Sequence, residues 1–314
     1  MLSLPDFREK QILFVNGSDV KKDKLKFANE NIRLEREEKI KDQVSCHKIF
    51  ALFVIGDCSL TTVLIRNCQK YGVSVFLLKY NFETYARIIS SAEGNYLLRM
   101  KQYRMKNELE IAKKLVSNKM RNQIFLLEKN EKKSAADYLT GLMDKITLAK
   151  NGKNLLGLEG SASKFFFQNY FLDMGWKKRM PRTKIDIANT LLDLGYTLLF
   201  NFIDGMLGAY GFDAYKGFYH KLFFQRKSLT CDLAEPFRAI IDKQLLKSYH
   251  LSQINQKDFR FINGRYGISY DNQNKYLEIF SQTIMEKKER IFSYVRDFYY
   301  FIMNDSEFPV FQME

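Results

Sequence analysis

No pair among the four cysteines, Cys46, Cys58, Cys68 and Cys231, has the C-x-x-C spacing, which argues against a zinc ribbon or a thioredoxin-like motif. No apolar run is long enough to span a bilayer. The densest, Gly195 to Phe212, is interrupted by Asn201 and Asp204. The first ten residues already carry Asp6, Arg8, Glu9 and Lys10, so no secretory signal is expected there. These absences predict a cytoplasmic protein with reduced thiols and no membrane partner. There is no Gly-x-Ser-x-Gly elbow and no Walker loop, and Gly56-Asp57 lacks the second and third glycines of a dinucleotide turn. Side-chain nucleophiles and nucleotide cofactors therefore have little support.

Acids are scarce relative to bases. Lys and Arg total 50 against 36 Asp and Glu, a net charge of +14, while 46% of the 314 residues are hydrophobic. That hydrophobic share excludes a disordered basic tail and supports a packed core. A folded protein this basic points to nucleic acid or an anionic surface; a generically basic cytosolic protein is the bland alternative.

The chain reads as α+β, a small N-terminal β-rich domain (1–92) followed by a larger all-α catalytic domain (93–314). Residues 11–15, 49–55 and 73–78 are apolar strand candidates, with half-buried edge strands within 25–40 and a last strand near 85–89. Ser59 or Thr61 caps a short helix ending at Tyr71-Gly72. Small and polar residues from Ser90 to Asn95 form a linker. Beyond it the apolar spacing turns helical, and only Pro181 and Pro236 interrupt the chain before the tail. Helices are expected over 97–127, 135–149 and about 155–174, 184–207, 213–223, 229–247 and 276–303. The tail 305–314 is expected to be mobile.

Glu159 stands among apolar and small residues, LLGLEGSASK, followed by three phenylalanines. A lone carboxylate there is costly unless a metal or a cation pairs with it. His220, one of three histidines with His47 and His250, precedes Asp232 and Glu235, which are three apart and so share a helix face, with Arg238 three further on. Two readings stand: a metal site, or an ion-pair helix in which Arg238 neutralises Glu235. Oxygen ligands with one imidazole suit magnesium or manganese better than zinc. Pro236 removes a helical N–H, and the bent turn is expected to aim Asp232 and Glu235 at one point.

Residues 97–121 carry Arg99, Lys101, Arg104, Lys106, Lys113, Lys114, Lys119 and Arg121 against only Glu108 and Glu110. Arg99, Lys106 and Lys113 recur every seven residues, a stripe suited to a phosphate backbone or else a solvated face. Lys177, Lys178, Arg179, Arg182 and Lys184, beside Trp176, read either as a phosphate-gripping loop or as ordinary surface.

Four stretches, Arg99 to Arg104, Leu155 to Phe167, Ile185 to Asn189 with Tyr196, and His220 to Arg238, together resemble the CRISPR-associated integrase of the spacer-acquisition complex, also a metal-dependent DNA endonuclease. The block Ser228 to Arg238, with Asp232-Leu-Ala-Glu235-Pro-Phe-Arg238, is its most specific part. The resemblance runs over nearly the whole chain. It implies that Glu159, His220 and Glu235 hold a divalent metal, magnesium or manganese. Asp232, Asn189 and Lys221 support the site, and Lys164 joins the cations named above against DNA. It also implies a reaction in which the 3′-hydroxyl of a DNA fragment attacks a phosphodiester of a CRISPR repeat, so that the nucleophile comes from substrate. Implied partners are double-stranded DNA, a second copy through the β domain, and a smaller adaptation subunit. The chain departs from the family at Met180-Pro181-Arg182, where consecutive prolines are usual. A metal-dependent nuclease on branched DNA and a non-catalytic DNA-binding scaffold are the alternatives.

Overall fold

Residues Ile49–Ile55, IFALFVI, are buried at every position. A strand apolar on both faces belongs inside a covered parallel sheet. The computed structural model describes residues 3–17, 23–90, 95–181, 183–221 and 223–314. Its N-terminal part is built on β1 (Gln11–Asn16), β2 (Lys24–Ala28), β3 (Asn31–Arg36), β4 (Lys39–Ser45), β5 (Ile49–Ile55), β6 (Ser59–Leu60), β7 (Ser74–Leu78) and β8 (Thr84–Ile88). One sheet runs β1-β5-β7-β8, the first three parallel and β8 antiparallel to β7. Phe14, Phe53 and Phe76 lie side by side across it, their rings stacked at 5.0 and 4.9 Å. The second sheet, β4-β3-β2-β6, is an antiparallel meander closed by a short parallel strand. Its two-residue turns, Asn29-Glu30 and Glu37-Glu38, hold both residues at positive φ, matching the twist of the flanking strands.

Helices α1 (Leu4–Arg8) and α2 (Thr62–Lys70) flank the sheets. Thr61 caps α2, its side chain accepting from the Leu64 N–H. The rest of the chain is largely helical: α3 (Tyr96–Arg104), α4 (Glu108–Lys129), α5 (Lys133–Thr147), α6 (Gly152–Tyr170), α7 (Ile187–Tyr210), α8 (Ser228–Ala234), α9 (Arg238–His250), α10 (Gln273–Glu286) and α11 (Lys288–Asn304). This is the expected order, β-sheet first and helices after. The boundary placed at residue 92 lies outside the described residues. The helical part is not all-α, because Phe259–Ile262 and Arg265–Ile268 form a β-hairpin, β9–β10. The larger of two apolar clusters joins both parts, and the smaller lies within the N-terminal part. Phe7 of α1 stacks on Phe292 of α11 at 4.6 Å and meets Phe50 of β5 edge-on at 5.2 Å.

α7 runs through the middle of this core. Asp186 caps it, accepting from the Asn189 N–H at 2.6 Å, and Gly211 closes it at φ 85°. Gly195 lets α9 and α10 pack close: a Cβ there would lie 2.5 Å from Ile241 Cγ2 and 3.0 Å from Phe280 Cδ1. Among the described residues no helix is long and apolar enough to cross a membrane.

Four expectations about helices and tail are corrected. The helix expected over 97–127 breaks at 105–107, where the Gln102 side chain ties α3 to the backbone of Asp213 and Lys216. The segment expected as a helix over 213–223 is not helical at its described residues, 213–221 and 223, and Asp232 draws the amides of residues 218–220 onto its carboxylate. The helix expected over 276–303 divides at Lys287 into α10 and α11. The tail 305–314 is docked. Phe311 and Met313 are buried, and Asn118 and Asn122 of α4 accept from their N–H groups at 2.9 Å each.

Candidate active site

α4 and α6 pack against each other, and a single-turn 3-10 helix, Glu235–Phe237, links α8 to α9 beside them. The three elements bring Lys119, Glu159 and Glu235 together. Lys119 is buried, its ammonium bonded to Glu159 Oε1 and 2.7 Å from Glu235 Oε2. Ser163, one turn beyond Glu159, donates to Oε1 at 2.8 Å, and the Tyr219 hydroxyl donates to Oε2 at 3.3 Å. Arg238 Nε donates to Glu235 Oε1 at 3.0 Å.

Burial alone would raise both carboxyl pKa values, but the cations prevail. Arg238 and Lys119 hold Glu235 down at about 2, and Lys119 holds Glu159 below its ordinary value. Burial works against the charge on Lys119, yet Glu159 and Glu235 raise its pKa above the usual lysine value. Both carboxylates are therefore ionised at neutral pH.

His220 sits in the loop between α7 and α8. Its shape is set by Asp232, buried in α8. Asp232 Oδ2 accepts from the N–H groups of Phe218 (2.6 Å) and Tyr219 (3.0 Å). Oδ1 accepts from the His220 N–H (2.9 Å) and lies 2.7 Å from His220 Nδ1. Three consecutive amides turned onto one carboxylate cannot also make helical bonds, which keeps residues 218–220 out of a helix. Gly217 is required by the same packing: a Cβ there would come within 2.7 Å of Asp232 Oδ2 and of the Ser228 backbone.

The expectation that Asp232 and Glu235 aim at one point is corrected. Asp232 faces the His220 loop and Glu235 faces Lys119, because the chain tightens to 3-10 geometry between them. The Asp232 carbonyl, deprived of a partner by Pro236, takes the Glu235 N–H instead. The ion pair Glu235–Arg238 exists, with its carboxylate buried and its guanidinium half-buried.

Asn189 is buried and organises the basic loop rather than touching the carboxylates. Its Oδ1 accepts from Arg179 Nη1 (2.8 Å) and the Met180 N–H (2.9 Å), and its Nδ2 donates to the Lys178 carbonyl (3.0 Å). Arg179 also pairs with Asp193 and lies over the Tyr196 ring, which Arg238 covers at 4.6 Å. Lys221 is exposed, 4.0 Å from Glu108 Oε2.

The basic stripe is not a continuous face. Arg99 Nε donates to the Gly211 carbonyl at the end of α7, Lys101 Nζ to Met303 near the end of α11, and Lys113 Nζ to Thr147 at the end of α5. These three cations seal helix C-termini. Arg104, Lys106, Lys164, Lys177 and Lys178 are exposed. Arg182 lies outside the described residues.

Sequence reasoning missed the parts played by Lys119, Ser163, Tyr219 and Asn122. Lys119 was legible: it follows Ala112 by seven residues and Leu115 by four, on the apolar face of α4. Among the described residues no three His, Cys, Asp or Glu side chains form a group that could hold a metal ion as they stand, and Glu159 and Glu235 close on the Lys119 ammonium.

A family model described as CRISPR associated protein Cas1 matches residues 19–282. The CRISPR-associated endonuclease Cas1 3 of Thermus thermophilus is 27% identical over 217 residues, a span covering 66% of this chain and 65% of that protein. A Cas1 protein from Thermotoga maritima superposes with a TM-score of 0.84 at 21% identity, over 97% of this chain and 99% of that one. A casposase bound to an integration product superposes with a TM-score of 0.81 at 21% identity, over 95% and 92%. The fold agrees with these structures from end to end, and the family match spans most of the sequence, so the chain belongs to the Cas1 family of CRISPR-associated proteins.

Proposed function

We propose that this protein is a divalent-metal-dependent DNA integrase of CRISPR adaptation, joining the 3′-hydroxyl ends of a short DNA fragment to a CRISPR repeat by transesterification. The observation that carries this reading is the meeting of Glu159 and Glu235, from distant parts of the chain, on one buried cation. The casposase with its integration product shares the fold, and the Thermus relative's name as an endonuclease fits the same phosphodiester chemistry with water as nucleophile.

By their chemistry the donors suit a magnesium or manganese ion, although as they stand Glu159 and Glu235 close on the Lys119 ammonium. Both carboxylates are ionised, and Glu235 Oε2 is buried against the Lys119 ammonium, 2.7 Å away. His220 has Nδ1 against the Asp232 carboxylate, the arrangement that orients a ligating imidazole through its other nitrogen. Glu159, His220 and Glu235 would hold the ion, which supplies phosphate polarisation and stabilises the attacking and leaving oxygens. The protein's own residues do the rest. Asp232 fixes the tautomer and direction of His220. Tyr219 and Ser163 orient Glu159. Arg238 keeps Glu235 charged. Exposed cations, Lys164, Lys177 and Lys178 among them, neutralise DNA phosphates.

In the same reading the protein works in the cytoplasm as a homodimer through its N-terminal part, 1–92, with catalysis in 93–314, and assembles with the small adaptation subunit on double-stranded DNA. The test is strand transfer from fragments with free or blocked 3′-hydroxyls into a repeat-bearing plasmid. Glu159→Ala abolishes transfer and leaves DNA affinity within about two-fold, a loss confined to the reacting phosphate. Wild-type-like transfer by that variant rejects the assignment, and hydrolysis without joining by the wild type favours the branched-DNA nuclease.

A further inference from the structure

Phe224 is 84% exposed, the most exposed large apolar side chain among the described residues, and its neighbour Phe223 is 73% exposed. The pair follows His220 closely, on the turn that leads into α8. That turn is tightly built. The Arg226 N–H donates to the Phe223 carbonyl at 3.0 Å, and Gln225 between them takes φ 57°, a left-handed conformation costly for a glutamine. The Ser228 N–H donates to the Arg226 carbonyl at 3.0 Å, and its hydroxyl donates to the Lys221 carbonyl at 3.2 Å. Lys227 is buried and paired with Asp204, which also accepts from Arg87 and from Thr230. The base of the turn is thus locked into the core while its tip holds two aromatic rings in water, forgoing the stabilisation of burial.

Along the segment that carries the rings the charge is of one sign, and the nearest acid facing it is Glu108, whose Oε2 lies 4.0 Å from Lys221 Nζ. Lys221 and Arg226 are exposed on either side, and no acid lies between His220 and Asp232. An apolar protein surface would match the rings but not the cations. A nucleic acid matches both, with base faces for the rings and phosphates for Lys221 and Arg226.

We propose that Phe223 and Phe224 form a wedge that enters the base stack of the target DNA at the step beside the scissile phosphate, while Lys221 and Arg226 hold the flanking phosphates. This inference rests on the DNA reading of the site above. The wedge explains why the rings sit on the loop that carries His220: unstacking the adjacent step exposes the phosphate from the side where His220 stands.

The test uses the full chain and a branched duplex that mimics the joined product, so that no catalysis is needed. 2-Aminopurine replaces the base at the step flanking the junction. Wild-type protein raises its fluorescence roughly two-fold or more as the base leaves its neighbours. Phe223→Ala/Phe224→Ala gives no rise and binds roughly ten-fold more weakly, the scale of a lost base–ring stack. A mismatch placed at that step, which opens it beforehand, restores most of the affinity. The melting temperature should stay within about 2 °C of wild type, since the rings are exposed. The inference is overturned if the double variant keeps the full fluorescence rise, including the case where it loses association with a protein partner instead. It is also overturned if wild type binds the branched duplex with flat fluorescence. Failure of the wild type to bind that duplex at low salt would instead reject the DNA reading itself.

Discussion

Lys119 is the residue on which the candidate site turns. It is nearly inaccessible, and it bridges two carboxylates that would otherwise repel each other in a buried space. Replacing it with methionine keeps the volume and deletes the cation. Glu235 then keeps Arg238 while Glu159 is left with the hydroxyls of Ser163 and Tyr219, and the expected cost is on the order of 3 kcal/mol, as for a buried ion pair broken on one side. A divalent ion at the same carboxylates would return that stability. Lys119→Met should therefore melt below wild type in chelator, and manganese should raise its melting temperature more than it raises that of wild type. Equal melting of the two proteins in chelator, or indifference of both to manganese, would refute this account. At this scale the sequence spoke unevenly. Glu159 was conspicuous because it stands among apolar and small residues, and His220 because histidine is rare. Lys119 was hidden in a run of lysines whose other members face water or seal helix ends. Only its place on the apolar face of α4 separates it from them.

The elements show why the site is rigid and why part of it could not be read locally. Asn122, one turn beyond Lys119 on α4, donates to the Pro236 carbonyl at 2.9 Å and to the Phe311 carbonyl at 3.1 Å, and accepts from the Met313 N–H. The C-terminal tail thus lies along α4 and is joined through one amide to the turn that carries Glu235. Phe311 packs on Phe237 of that turn at 4.6 Å. The last ten residues, without periodicity, read as mobile because nothing in their own sequence reveals the buried asparagines that receive them. The segment 213–223 reads as helix for the same reason, since the carboxylate that holds the amides of residues 218–220 lies beyond it in sequence. Strands and most helices, by contrast, announce themselves through apolar spacing and caps. Deleting residues 305–314 should expose Phe237 and leave the amide of Asn122 half satisfied. The expected outcome is a melting temperature lower by several degrees and strand transfer reduced at least about ten-fold, with DNA affinity nearly unchanged. Unaltered transfer by the shortened chain would show that the tail does not hold Glu235 in place.

For the molecule as a whole, the excess of 14 positive charges acts through those cations that remain free to meet phosphates. Composition alone cannot tell these from cations consumed internally, and the fold divides them. Arg99, Lys101 and Lys113 close helix C-termini, and Arg179 is fixed by Asn189 and Asp193. Lys177 and Lys178 emerge on a loop beside Trp176, and Lys106 and Lys164 are likewise exposed. Binding to duplex DNA releases counterions in proportion to the phosphates neutralised, so the slope of log affinity against log salt falls by about 0.9 for each contact removed. Lys177→Ala/Lys178→Ala should weaken binding to all sequences alike and flatten that slope by nearly 2. Arg99→Ala and Lys113→Ala should leave the slope unchanged and lower the melting temperature instead, because each strips a cation from a helix end. Titrations at several salt concentrations, paired with melting curves, separate the two groups. The division drawn from the fold fails if Arg99 or Lys113 alters the slope as much as Lys177 and Lys178 do, because their charge would then reach the DNA despite the carbonyls they hold.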